Sequence, residues 1–68
     1  MKYEKGDLVL LQDGLSDYGV VLILGKAEQS GQQLSSLYRW VYKFIMLKEQ
    51  KEDWHYQAFV EQHGVKVG

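Results

Sequence analysis

Every second residue from Tyr38 to Met46 is large and apolar: Tyr38, Trp40, Tyr42, Phe44 and Met46. A period of two sets those five side chains on one face of an extended chain, with Arg39, Val41, Lys43 and Ile45 on the other. Residues 37–47 are therefore expected to form one long strand. Such alternation marks a half-buried strand, and it asks for a core built around Trp40, Tyr42, Phe44 and Met46. A chain of 68 residues has room for one such core, because at that size only about 60% of the unfolded surface is buried. One domain over residues 1–68 follows.

The flanking segments read as further strands. Lys5-Gly6-Asp7 stands before Leu8, Val9, Leu10 and Leu11, a turn signal leading into a short apolar strand that stops at Gln12-Asp13-Gly14. Residues 12–18 are rich in side chains that make turns, and residues 19–25 form a second, β-branched strand bounded by glycines. Residues 26–36 are polar and glycine-interrupted, which suits a flexible hairpin connection. Residues 48–53 read as a charged turn, and Trp54-His55-Tyr56 as a fourth strand.

Beyond Tyr56 two readings compete. Tyr56, Phe59, Val60 and His63 have helical spacing, with Asp53 as an N-cap and Gly64 past the end, so a helix over residues 54–63 would make the fold α+β. The preferred reading is a single helical turn at residues 57–60 and a last strand through Val65 and Val67, because five strands close a barrel and leave fewer exposed edges.

Composition excludes several classes of function. Hydrophobic residues make up 46% of the chain and nine are aromatic, which argues against disorder. With no cysteine there is neither a disulfide framework nor a thiolate metal site, and a reduced, cytoplasmic setting is expected. No apolar run reaches the roughly 18 residues of a membrane span, and the N-terminus lacks a signal-peptide layout, so no membrane association is expected. A net charge of −1 removes the bulk attraction to phosphate that drives non-specific nucleic-acid binding.

The layout KGDLVLL, loop, YGVVLIL, hairpin, aromatic strand and closing WHY resembles the SH3-like small β-barrels, with kindred openings in KOW and Tudor modules and in the barrels of small toxin ribonucleases. The whole chain is also similar to short bacteriophage proteins, including those of cyanophages, that carry a Gly-Asp opening and a Trp-His-Tyr near the end. That likeness implies an all-β, SH3-like barrel of five strands with a short helical turn before the last, acting as a phage-encoded accessory protein in the host cytoplasm. The toxin ribonucleases place arginine where Asp13, Ser16 and Asp17 stand here, which speaks against that activity.

Chemistry-bearing constellations are weak. His55 and His63 with Asp53 or Glu61 fall short of the four closely spaced ligands of a structural metal site. Asp13-Gly14-Leu15-Ser16-Asp17 lacks the alternating acids and distal glutamate of a calcium loop. Ser16, Ser30, Ser35 and Ser36 show no triad order, and Gly14, Gly19 and Gly25 are too far apart for a phosphate loop. No catalytic residue, metal or cofactor is assigned, and the chain is expected not to be an enzyme.

Two features point to partners. Residues 20–24 and 44–47 are apolar on both sides, although a small barrel buries one side only. The outer side needs a cover: the chain's own segment around Phe59 and Val60, a homodimer partner, or another protein. Tyr18, Arg39, Lys43, Trp54 and His55 are expected to supply aromatic area and hydrogen bonds for a protein partner. A methyl-lysine cage would need Tyr18, Trp40, Trp54 and Tyr56 on one rim. The alternative is nucleic-acid binding on an Arg39 and Lys43 face beside Tyr38 or Trp54, and a toxin-like ribonuclease is the second alternative.

Overall fold

In a computed structural model of the chain, residues 2–12, 14, 17–29 and 36–68 are described. Five strands, β1 (Leu8–Gln12), β2 (Asp17–Glu28), β3 (Trp40–Met46), β4 (Lys51–Tyr56) and β5 (Gly64–Lys66), form one antiparallel sheet in the order β4-β3-β2-β1-β5. Two short helices, α1 (Ser36–Arg39) and α2 (Gln57–His63), precede β3 and β5. The all-β class and the short helix before the last strand are as expected. Among the described residues no helix is long and apolar enough to cross a membrane.

The opening turn does what its residues suggest. Gly6 takes φ of 97°, a conformation that costs a side-chain-bearing residue about 1 kcal/mol or more, and Asp7 accepts a hydrogen bond from the Glu4 N–H at 3.0 Å. The chain is then handed straight to β2: Gly6 N–H donates to the Ile23 carbonyl oxygen at 2.8 Å and Ile23 N–H to that of Asp7 at 2.9 Å.

Several boundaries differ from expectation; β1 includes Gln12 and β2 begins at Asp17, both inside the segment expected as a loop. Gly25 does not end the second strand. The register shifts between Ile23 and Gly25, Gly25 has φ of 156°, and β2 continues through Lys26, Ala27 and Glu28, so the glycine marks a bulge. Residues 37–39 are not strand but lie in α1: the β2 and β3 ladder ends at Glu28 opposite Trp40, with one further bond from the Gln29 N–H to the Arg39 carbonyl oxygen at 2.7 Å. The charged turn is shorter: Gln50 N–H closes on the Met46 carbonyl oxygen at 2.7 Å, and Lys51, Glu52 and Asp53 belong to β4, an edge strand on which charges discourage pairing with another chain. Finally, α2 runs beyond the single turn expected, to His63, yet Trp54, His55 and Tyr56 remain strand, so the α+β alternative does not arise.

The core lies on one face of the sheet. Val9, Val21 and Met46 stand side by side across β1, β2 and β3, with Ile23 beside Phe44. Tyr3 and the α2 residue Val60 close over them, and Tyr18 and Phe59 pack at the margin. Tyr42, Phe44 and Met46 are buried as the alternation demands, whereas Trp40 is half-buried with the Lys26 ammonium 5.7 Å from its ring. Gly64 is fixed by close approach: a Cβ there would lie 2.5 Å from the Val60 carbonyl oxygen and 2.7 Å from Val9 Cγ1. Its φ of −91° is ordinary, so it is not the left-handed helix terminator that its position suggests.

Candidate functional site

The five residues expected to bind a partner fall on two faces. Lys43 and Trp54 are a cross-strand pair of β3 and β4, on the side away from Tyr42 and Phe44. Arg39, at the end of α1, is exposed and bonded through Nε to Glu28 Oε2 at 2.7 Å. Tyr18 and His55 are on the core side. Their rings meet edge to face at 6.2 Å, Tyr18 meets Phe44 at 5.9 Å, and His55 stacks on Phe59 at 3.8 Å and 17°. These two residues anchor β4 and α2 to the core margin, on the face opposite Trp54, and the His55 ring also meets that of Tyr56 edge to face at 5.7 Å.

On the outward side of β4 the sequence reading overlooked a grouping. Tyr56 meets Tyr38 at 4.9 Å and 76°, and Trp54 at 5.6 Å and 80°. Both are edge-to-face geometries, the favourable arrangement for ring quadrupoles. The three rings form a ladder from α1 along β4, with Tyr38 and Trp54 each 47% exposed. Beneath it Val41, buried although outward-pointing, lies between Ala27 and Tyr56 in the sheet. A signal for half of the ladder was present, since Trp54 and Tyr56 are two apart in a strand. A four-ring cage does not form: Trp40 shares the core-side alternation of Tyr42, and Tyr18 packs on Phe44.

The backbone of β4 is engaged beside the ladder. Trp54 N–H donates to Asp53 Oδ1 at 2.7 Å, and Tyr56 N–H to His55 Nδ1 at 2.8 Å. An acceptor Nδ1 places the imidazole proton on Nε2 in the neutral ring. Two donors that an added strand would use are thus taken by neighbouring side chains.

A second feature is an open concavity of about 470 Å³ lined by Asp17, Tyr18, Met46, Glu49, Lys51, Glu52 and Asp53. Its lining carries four acidic residues and one lysine. Among the described residues no three histidine or acidic side chains gather as metal ligands. Asp13, Leu15, Ser16, Ser30 and Ser35, drawn on for a calcium loop, a ribonuclease loop or a triad, lie outside the described residues, as does most of the polar connection expected to be flexible. Compared with known proteins, the chain matches no family model, no curated protein and no solved structure.

Proposed function

We propose that the chain is a non-enzymatic protein-interaction module that engages its partner through the Tyr38, Tyr56 and Trp54 ladder. The carrying observation is the exposure of Tyr38 and Trp54, 47% each, while both are braced against Tyr56. Aromatic side chains held in fixed geometry bring large contact area and lose little conformational freedom on binding, which is why Tyr and Trp dominate binding hot spots. Lys43 beside Trp54 adds one cation at the ladder's margin. With the Trp54 and Tyr56 N–H groups occupied, the partner docks by side chains and not by strand addition.

The sheet order and the helix before the last strand support an SH3-like reading. Its setting, on the resemblance noted above, is that of a phage-encoded accessory protein in the host cytoplasm. The pairing of Lys43 with Trp54 favours one second reading, single-stranded nucleic acid stacked on Trp54 and neutralised by Lys43. It is the weaker one, because Arg39 is already paired with Glu28 and Glu52 lies on the same side of β4 as Trp54.

The test is amide NMR mapping with a random peptide pool and, separately, a mixed single-stranded RNA and DNA pool. Peptide-induced shifts centred on Tyr38, Lys43, Trp54 and Tyr56, lost in Trp54→Ala, support protein recognition. Shifts elsewhere, or oligonucleotide binding that weakens steeply with salt, overturn it.

A further inference from the structure

Among the described residues, the far end of β2 has a neighbour on one side only. From Gly25 to Glu28 it pairs with β3, whereas its earlier residues also meet β1 or the opening turn. Gly25 and Lys26 of this stretch line a concavity of about 320 Å³ together with Tyr3, Glu4 and Lys5. That volume is at the lower end of the range of small-molecule sites, about 300 to 1,000 Å³. None of the ladder rings lines it.

Both lysines of the lining stand on fixed backbone. Lys5 is in the turn that Glu4 and Asp7 close twice, Asp7 N–H donating to the Glu4 carbonyl oxygen at 3.0 Å and Glu4 N–H to Asp7 Oδ2 at 3.0 Å. Lys26 follows the bulge, opposite Tyr42, with its ammonium 5.7 Å from the Trp40 ring. Gly25 brings no side chain to the space, and a Cβ there would find no atom within 4 Å. Lys43, opposite Gly25 in the sheet, adds a third cation. All three lysines are exposed, and among the described residues none of them is in an ion pair. Against the single acid Glu4 they leave an excess of positive charge in a chain whose net charge is −1. The larger concavity, at the Asp17 end of β2, is lined mostly by acids, so the field draws anions to the Gly25 end.

We propose that this concavity binds the phosphoryl groups of a small polyphosphate, with Lys5 and Lys26 taking separate terminal oxygens. A carboxylate is matched best by the planar fork of an arginine, and the one arginine of the chain, Arg39, is paired with Glu28. Lysines meet phosphate as point charges. Phosphoryl groups in series also carry their charge on oxygens that point in different directions, which suits two ammonium groups set on different elements. Glu4 repels an anion placed close to it and accepts hydrogen bonds, so it is suited to a hydroxyl or amino group where a nucleoside carries the phosphate. Exposed ammonium groups are screened by salt, so the dissociation constant is on the order of 1 mM in about 20 mM salt and about tenfold weaker in about 200 mM.

Amide NMR titrations with sodium tripolyphosphate, ATP, adenosine and an oligothymidylate, each in about 20 mM salt, test the site. Tripolyphosphate and ATP are expected to shift residues 4–6 and 25–27, and adenosine to leave them in place. Lys5→Gln and Lys26→Gln, both at exposed positions where folding tolerates the change, should each weaken binding about threefold or more. Lys48→Gln, in the turn between β3 and β4, should bind as the unsubstituted chain. ATP binding more tightly than tripolyphosphate would identify the source as a nucleotide, and the reverse order an inorganic polyphosphate; both support the site. No shift at residues 4–6 and 25–27, or equal weakening in Lys48→Gln, would overturn it. Oligothymidylate binding more tightly than either small anion would overturn it too, by assigning these lysines to a nucleic-acid backbone.

Discussion

The Tyr42 hydroxyl donates to Glu61 Oε2 at 2.6 Å while accepting from the Tyr3 N–H at 3.0 Å, so one buried phenol ties the N-terminal segment, β3 and α2 together. The same Glu61 oxygen accepts from the Lys2 N–H at 2.9 Å and from Gln57 Nε2 at 3.2 Å. The Tyr3 hydroxyl closes the loop by donating to the Gly64 carbonyl oxygen at 3.0 Å, at the start of β5. In a chain this small such cross-links do part of the work that a larger core would do.

Removing the phenol oxygen leaves the buried Tyr3 N–H without its acceptor and Glu61 without its shortest donor. Tyr42→Phe is expected to cost about 1 to 3 kcal/mol, more than a lone exchanged hydrogen bond, because an unsatisfied buried donor bears its full desolvation penalty. Urea unfolding followed by tryptophan fluorescence measures it; a change under about 0.5 kcal/mol would show the network to be ornamental.

The network also sets the pH range of stability. Burial alone raises the Glu61 pKa, but the hydrogen bonds from Tyr42, Lys2 and Gln57 outweigh it and hold the carboxyl below its usual value. A folded-state pKa below the unfolded one means stability present above the ordinary value of 4.5 and lost as pH falls through the depressed one. Tyr42 is the mirror case: burial first, then the bond to Glu61, pushes its hydroxyl well above 10.0, so its contribution holds below that pH and fades as pH rises past it. Melting temperature is expected to fall at both ends. Glu61→Gln should flatten the acid limb, and an unchanged acid limb in that variant would assign the loss to other carboxylates.

Gly64→Ala is expected to destabilise by about 2 kcal/mol or more, because the new methyl would meet backbone at Val60 and the fully buried Val9 at distances real Cβ atoms do not show. Gly6→Ala is the contrast: no atom lies within 4 Å, and only its φ of 97° opposes the change, a cost of about 1 kcal/mol. Equal losses in chemical denaturation would mean that the α2 to β5 corner relaxes freely.

These positions show where the sequence was readable. The alternation at Tyr42, Phe44 and Met46 and the apolar run from Leu8 to Leu11 are local signals, and they place β3, β1 and the core correctly. Gly25 is ambiguous locally, since a glycine ends a strand or bulges it depending on whether a partner continues alongside, and here β3 does. Where β3 begins is likewise no local signal: Tyr38 continues the alternation yet lies in α1, which is why the ladder was only partly visible. The separation of Trp54 from His55 was legible: adjacent strand residues point to opposite faces.

Trp54→Ala is expected to leave stability within about 1 kcal/mol, as the ring is 47% exposed and braced chiefly by Tyr56. The same change should weaken a peptide ligand selected against the protein by about tenfold or more, the loss expected of a hot-spot aromatic. Tyr56→Ala, which removes the support of both neighbouring rings, should cost stability as well as binding. Isothermal titration beside urea melts separates the two effects, and a Trp54→Ala protein that binds as before would remove the ladder from the site.

The open edge of β4 makes the last expectation. Its Trp-His-Tyr end is aromatic and β-prone, and protection comes from Lys51, Glu52 and Asp53 together with the capture of the Trp54 N–H by Asp53 Oδ1. Asp53→Val removes a charge, releases a backbone donor at the edge and lengthens the strand-forming run in one step. The variant should fold, because Asp53 is exposed, yet form thioflavin-positive aggregates sooner than the unsubstituted chain. Asp53→Asn, which keeps a side-chain oxygen for the Trp54 N–H but loses the charge, divides the two causes: behaviour like the original chain assigns the protection to the captured donor, behaviour like Asp53→Val assigns it to charge.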